Sequence, residues 1–229
     1  MFFAGFTQGL SGFGSALLAI PLLTLFLDIK TVVPLAAMGG LSIAIIVFIQ
    51  LRSHFVWEKI SPLLIAAMPG VLVGVLFLKQ VDRKFIQWVL GVTLIVYSLY
   101  SLLGAAQVRE IAKRWAYFFG FLAGCLGAAT GASGPPVIVY VSFQPWGKEQ
   151  KKATLQGFFV LAMSVVVISH VLTGITSALV LRLYVAGVPM LVIGTYLGSL
   201  LYGKIGESTY RKTVLILLAL MGIIMICRA

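Results

Sequence analysis

The chain has 229 residues, 61% of them hydrophobic and only 10% charged, with a mean hydropathy of +1.09. Soluble domains carry about 25% charged residues, so an ordinary soluble domain is excluded. The net charge of +11 comes from 17 Lys and Arg; they lie between long uncharged runs, so loop bias in a membrane protein explains them and no nucleic-acid partner is expected.

The predicted elements are eight hydrophobic segments, at about 3–27, 31–51, 60–79 and 84–104, then 115–142, 153–173, 180–203 and 211–227. Most reach the roughly 20 residues that cross a bilayer. A β-barrel would instead show weak alternation over about ten residues. The first segment is apolar from Met1 and lacks a basic n-region, so no cleavable leader is expected. It contains GLSGFGSALLAIP (9–21), with Gln8 and Ser11 just before the glycines. The second closes on Gln50 and Arg52, and the third carries Pro69-x4-Gly74. The fourth ends in the polar junction GAAQVREIAKRW (104–115). The fifth contains GAATGASGPP (127–136). The sixth holds Gln156 and His170, 14 residues apart, or about 21 Å along a helix, so the two cannot touch one small ligand. His170 reads as an interfacial residue before a proton relay, and Arg52 as a solvated end charge. The seventh carries Pro189-x4-Gly194-x3-Gly198, and Tyr210 and Arg228 are expected to anchor the short eighth. Trp57, Trp88, Trp115 and Trp146 fall near segment ends, as interfacial anchors should. Cys125 and Cys227 lack metal or CxxC spacing and read as packing residues.

The halves match in order. Gly12 corresponds to Gly131 at an offset of 119, Gly39 to Gly157 at 118, and Pro69 to Pro189 at 120. Residues 82–95 resemble 207–220 at 125. An internal duplication is expected, with a first repeat at 1–104, a connecting loop at 105–114 and a second repeat at 115–229. If all eight segments cross, the odd-numbered loops carry ten Lys and Arg against seven elsewhere. If the first segment of each half is re-entrant, each half crosses three times, the repeat is inverted, and the division is eleven to six. Both arrangements put the termini outside, and the charges do not choose between them.

Glycine in a helix interior costs about 1 kcal/mol and proline about 3, so both glycine clusters predict broken helices over 11–16 and 130–136. Irregular backbone at membrane depth is tolerated where protein buries it or it lines a cavity. Paired breaks in a duplicated membrane protein point to a transport site. The exposed amides at the start of a second half-helix favour an anion, and Pro135 suits a first helical position. Close packing through GxxxG, as in Gly127 and Gly131, is the competing reading of the glycines. The candidate substrate-binding residues are Gln8, Ser11, Gly12, Phe13, Gly14 and Ser15 in the first cluster. Thr130, Gly131, Ser133, Gly134 and Pro135 in the second join them, with Gln156 from the sixth segment. The Asp and Glu all fall in loops, which disfavours a buried-carboxylate proton pump.

These motifs in this order resemble the sulfite exporter TauE/SafE family, also called the toluene-sulfonate uptake permeases. That family has two similar four-segment halves, each opening with a motif of the type G-x-G-G-G-x-x-x-x-P. Each half later carries P-x-x-x-x-G-x-x-x-G. Here the first motif reads Gly12-Phe-Gly14-Ser-Ala with Pro21 following, and its second copy Gly131-Ala-Ser-Gly134-Pro-Pro. Ser15 and Ala16 replace two expected glycines, Leu78 stands where the first proline motif would end in Gly, and Ser133 and Pro135 flank Gly134. The resemblance covers nearly the whole chain. It implies an all-α polytopic protein of the bacterial inner membrane that moves a small sulfonate, sulfite or carboxylate anion by alternating access, with H⁺ or Na⁺ as conceivable partners. A structural or assembly subunit is the alternative, and an intramembrane enzyme the remoter one. HExxH, GxSxG and phosphate loops are absent, and no cofactor or metal is expected. The sequence leaves the substrate, direction, coupling ion and oligomeric state open.

Overall fold

A computed structural model describes residues 1–103, 111–202 and 207–229, with side chains in the last stretch from residue 212 onward. Most of the expected connecting loop and the anchoring side chain of Tyr210 therefore lie outside the described residues. The described residues form ten α-helices and one short 3₁₀ turn. The first hydrophobic segment is two ten-residue helices, α1 (Phe2–Ser11) and α2 (Ser15–Thr24). Then come α3 (Ile29–Leu51), the 3₁₀ turn Arg52–His54, α4 (Trp57–Gln80) and α5 (Arg83–Leu102). The fifth segment is likewise split, into α6 (Arg114–Thr130) and α7 (Gly134–Phe143). The chain ends with α8 (Lys148–Leu172), α9 (Ala178–Leu200) and α10 (Glu207–Arg228). The helices α3, α4, α5, α8 and α9 are long and apolar enough to cross a bilayer.

Local chemistry sets the ends. Asp28 caps α3 by accepting from the amide of Lys30 at 2.9 Å, Asp82 caps α5 through the amide of Lys84 at 3.3 Å, and Ser177 caps α9 through Val180 at 3.4 Å. Large apolar side chains remain exposed along the helix flanks, among them Leu72, Leu76, Leu99 and Ile168. In water they would be a liability; against lipid they are the outer surface. Trp57, Trp88 and Trp115 are exposed near helix ends.

Contacts sort the helix ends into two rims. At the first rim Arg83 pairs with Asp28 at 2.6 Å, and Thr24 and Leu25 line a small cleft with Gln87 and Arg228. At the opposite rim Val56, Lys59, Ile111, Lys113, Gln144 and Trp146 surround a cavity of about 540 Å³. The amide of the Gln144 side chain donates to the carbonyl of Ile111 at 3.4 Å, so α7 ends beside the start of α6. The pair α6–α7 therefore enters and leaves by the opposite rim. Its partner α1–α2 returns to the first rim, because α2 ends beside Arg228. The α6–α7 pair thus starts and ends at one rim; α1, whose Met1 lies against Gly187 part-way along α9, runs beside α9 toward the opposite rim before α2 turns back, the course expected of a re-entrant rather than a crossing segment.

Each hairpin is gripped by one long helix. Helix α1 packs on α9 and α6 on α4, while α3 packs on α8 and α5 on α10. The grip is backbone against backbone. A methyl group at Gly5 or Gly9 would strike the backbone of α9, and one at Gly194 or Gly198 the backbone of α1. Gly120 and Gly124 of α6 meet α4 in the same way, as do Gly70 and Gly74 in return. These are paired small-x-x-x-small contacts, which let helices approach closely where lipid offers no hydrophobic drive. The glycine of the first proline motif thus serves packing, and Leu78 at its expected third position is fully buried.

Candidate functional site

The site forms where the hairpin tips meet. Helix α1 stops because Gly12 takes a left-handed backbone, φ 81°, and donates its amide to the carbonyl of Gln8 at 2.7 Å. Gly14 follows at φ 95° and caps α2. In the second hairpin Gly131 has φ 75° and donates to Gly127 at 3.0 Å, and α7 restarts at Gly134 with prolines in its first turn. Side-chain-bearing residues rarely adopt this conformation, so the turns require glycine. The irregular backbone covers 12–14 and 131–133 only, narrower than the expected 11–16 and 130–136. Capping satisfies more of the freed groups than composition alone implied.

Between the tips lies a cavity of about 30 Å³, room for about two waters. Gln8, Gly14 and Ser15 line it from the first hairpin, and Gly131, Ser133 and Gly134 from the second. Ala36 and Gly40 of α3, with Phe159 and Met163 of α8, close the sides. No charged side chain faces it. Two helices begin at it, so two positive dipole ends converge there. Their donors differ. In α2 the amides of Ser15, Ala16 and Leu17 precede the first intrahelical bond, from Leu18 to Gly14 at 3.1 Å. In α7 the sequence Gly134-Pro135-Pro136 leaves one amide among the first three residues. The hydroxyl of Ser133, on a residue 5% exposed, has no hydrogen-bond partner among the described residues.

A hydrogen-bonded chain fixes the first tip. Ser15 donates to the side-chain carbonyl of Gln8, Gln8 Nε2 donates to Gln156 Oε1 at 3.2 Å, and Gln156 Nε2 donates to the carbonyl of Gly12 at 2.5 Å. The ammonium of Lys152, one turn earlier on α8, donates to the carbonyl of Gly9 at 3.1 Å and lies 3.4 Å above the ring of Tyr202.

A profile for sulfite exporters of the TauE/SafE type matches residues 1–225. The chain belongs to the sulfite exporter TauE/SafE family. No curated protein and no solved structure matches it. This TauE/SafE protein is therefore an integral, multi-pass membrane protein of a transporter family, and its family implies a small anionic substrate and a lipid environment.

In this TauE/SafE protein the candidate residues divide by place. Gln8, Gly14, Ser15, Gly131, Ser133 and Gly134 line the cavity. The others stand behind it. The Ser11 hydroxyl lies 2.7 and 2.8 Å from the carbonyls of Thr7 and Phe13 and donates its one hydrogen to either, so it caps freed backbone. Phe13 packs edge-on against Tyr97. Gly12 packs against the stem of Lys152 and Thr130 donates to Leu126 at 2.8 Å, while Pro135 opens α7 and Gln156 supports the tip. Two residues near the tips were not anticipated there. Lys152 precedes the sixth segment as predicted from residue 153, but α8 begins at Lys148 and buries it. His170 was read as interfacial and is wholly buried, its Nε2 3.0 Å from the carbonyl of Ala128. Their common spacing on α8 was the signal available in the sequence. Among the described residues no three His, Cys, Asp or Glu gather as a metal site.

Proposed function

We propose that this protein is a secondary transporter that carries a small singly charged anion, of the sulfonate, sulfite or carboxylate type, across the bacterial inner membrane. The observation that carries the reading is the cavity where two re-entrant tips and two helix N-termini meet without a basic side chain. Attraction at that depth comes from oriented amides and hydroxyls, which suits one negative charge. A dianion would need a basic partner or a co-transported cation to offset its desolvation.

Among the described residues, six Lys and Arg (Lys30, Lys79, Arg83, Lys84, Arg182 and Arg228) belong to the first rim and nine to the opposite one. The opposite rim is then cytoplasmic, and the C-terminus lies outside. Packing of α1 on α9, mirrored by α6 on α4, is what an inverted duplication of residues 1–104 and 115–229 would produce. Alternating access would rock these halves, opening the cavity toward one hairpin base and then the other. The family is one of transporters, which favours transport over the enzymatic alternative. The test is flux in proteoliposomes with alkyl sulfonates, sulfite, carboxylates, taurine-like zwitterions and matched cations at fixed salt. Saturable anion flux is expected; preference for cations or neutral sugars overturns the reading.

A further inference from the structure

His170 lies in the last turn of α8, at the first rim, and is wholly buried. Its Nε2 meets the carbonyl oxygen of Ala128 at 3.0 Å. A carbonyl only accepts, so Nε2 carries the hydrogen, and in the neutral ring Nδ1 is then the bare nitrogen. That Nδ1 is buried and has no hydrogen-bond partner. An unsatisfied buried acceptor is costly and uncommon in folded proteins. A second such atom lies in the turn that follows. The hydroxyl oxygen of Thr176 is buried without a partner, and the amide of Thr176 donates to the carbonyl of His170 at 3.2 Å.

We infer that His170 Nδ1 is a proton-binding site, loaded from the first rim past Thr176 and read by the second hairpin through Ala128. The step is simple: a proton from water at that rim binds the Nδ1 lone pair, and imidazole becomes imidazolium. The bond to Ala128 is kept and becomes charge-assisted. The new charge lies against the last turn of α6, the negative end of its dipole, where a cation is favoured. Ala128 stands one turn before Gly131, which lines the cavity, so the protonation state bears on how firmly α6 holds its tip. A proton carried with a singly charged anion makes the transport step electroneutral. This inference rests on the transport reading for its coupling, though not for the proton site.

The surroundings leave the imidazole as the titrating group. Of the elements packed on α8, α3 contributes Lys30, which donates to the carbonyl of Lys79, and α4 contributes Lys79 itself, exposed at the rim. Helix α6 contributes Cys125, set against the glycines of α4, and α7 contributes Tyr140, packed on Phe119 and Trp146. Glu58 of α4, with Arg52 and His54 of the 3₁₀ turn, lies at the opposite rim. Arg182 of α9 is exposed.

The chain has two histidines, which makes the test direct. In His54→Gln protein, labelled with ¹⁵N-histidine, the only imidazole is His170. Recorded across the pH range in which the protein stays folded, the expected spectrum shows an Nε2–H tautomer that takes up a proton at Nδ1 as the pH falls. In proteoliposomes holding a pH dye, a gradient of methanesulfonate, which stays ionised, should drive proton movement with the anion. His170→Gln keeps an N–H for Ala128 but cannot bind the proton; it should lose at least about tenfold of the proton flux and its pH dependence. Thr176→Val, which retains the imidazole, should slow proton movement and leave the tautomer unchanged. An imidazole neutral throughout that range, or His170→Gln with unchanged proton flux and pH profile, overturns the inference. Absence of flux for methanesulfonate and every other anion overturns the transport reading, while the titration still decides the proton site.

Discussion

Lys152 and His170 stand 18 residues apart on α8, five full turns, and so share one face. Lys152 donates to the carbonyl of Gly9 at 3.1 Å and His170 to that of Ala128 at 3.0 Å. Those carbonyls are 119 residues apart, the same offset as Gly12 and Gly131. One helix therefore holds the same point of both hairpins, with a different nitrogen base at each. Both carbonyls belong to the last turn of a helix, where backbone acceptors lack partners and cations are favoured.

Replacing Lys152 with Met keeps the stem that covers Gly12 and removes the donor and the charge. The loss of a charged hydrogen bond is expected to cost about 1.5–3 kcal/mol in thermal unfolding in detergent. Apparent KM for a sulfonate should rise about five- to tenfold, nearly alike at low and high salt because the ammonium is buried, with maximal rate little changed. An unchanged KM would show that the ammonium has no part in attracting the anion.

Gly134 and Gly124 separate the site from the scaffold. A methyl at Gly134 would approach the flexible end of Ile138 at 3.3 Å, so Gly134→Ala should fold, yet it narrows a cavity of about 30 Å³. Its expected signature is normal yield and melting temperature with flux reduced about tenfold or more. Gly124→Leu would drive a side chain into the backbone of Ala67 and should lose about 3 kcal/mol or more, seen as low yield. Parallel loss of yield and flux in Gly134→Ala would assign that glycine to packing.

Gln8 and Gln156 are joined at 3.2 Å and both are buried. Single replacements by Leu strand a buried partner and should each cost about 1–3 kcal/mol. The double replacement removes both ends, so a coupling of about 0.5–3 kcal/mol is expected from the cycle of four melting curves. Strict additivity would show that the bond does not hold the tip.

The glycine clusters were legible because backbone that no other residue adopts leaves a compositional mark. Gly12, Gly14 and Gly131 are the positions with positive φ at the tips. The direction of the chain after each break was not legible, since a kinked crossing and a returning hairpin use the same glycines. That choice depends on contacts distant in sequence, such as Gln144 with Ile111 and Thr24 with Arg228. The spacing of Gly5 with Gly9, and of Gly120 with Gly124, was present, but only the facing glycines of α9 and α4 give it meaning. Lys152 was missed because an uncharged run marks where charge stops, whereas α8 begins four residues before Lys152 and carries it inward.

The grip on the first hairpin also sets a timetable. The glycines of α1 close only on those of α9, which leave the ribosome more than 180 residues later, while α6 finds α4 already made. Of the two hairpins, the one synthesised earlier is therefore seated later. Until then α1 and α2 are short apolar helices held only at their polar tip, by Lys152 and Gln156 of α8. A truncated chain ending before α9 would keep its second hairpin docked and its first one loose, making that hairpin the natural target for membrane quality control.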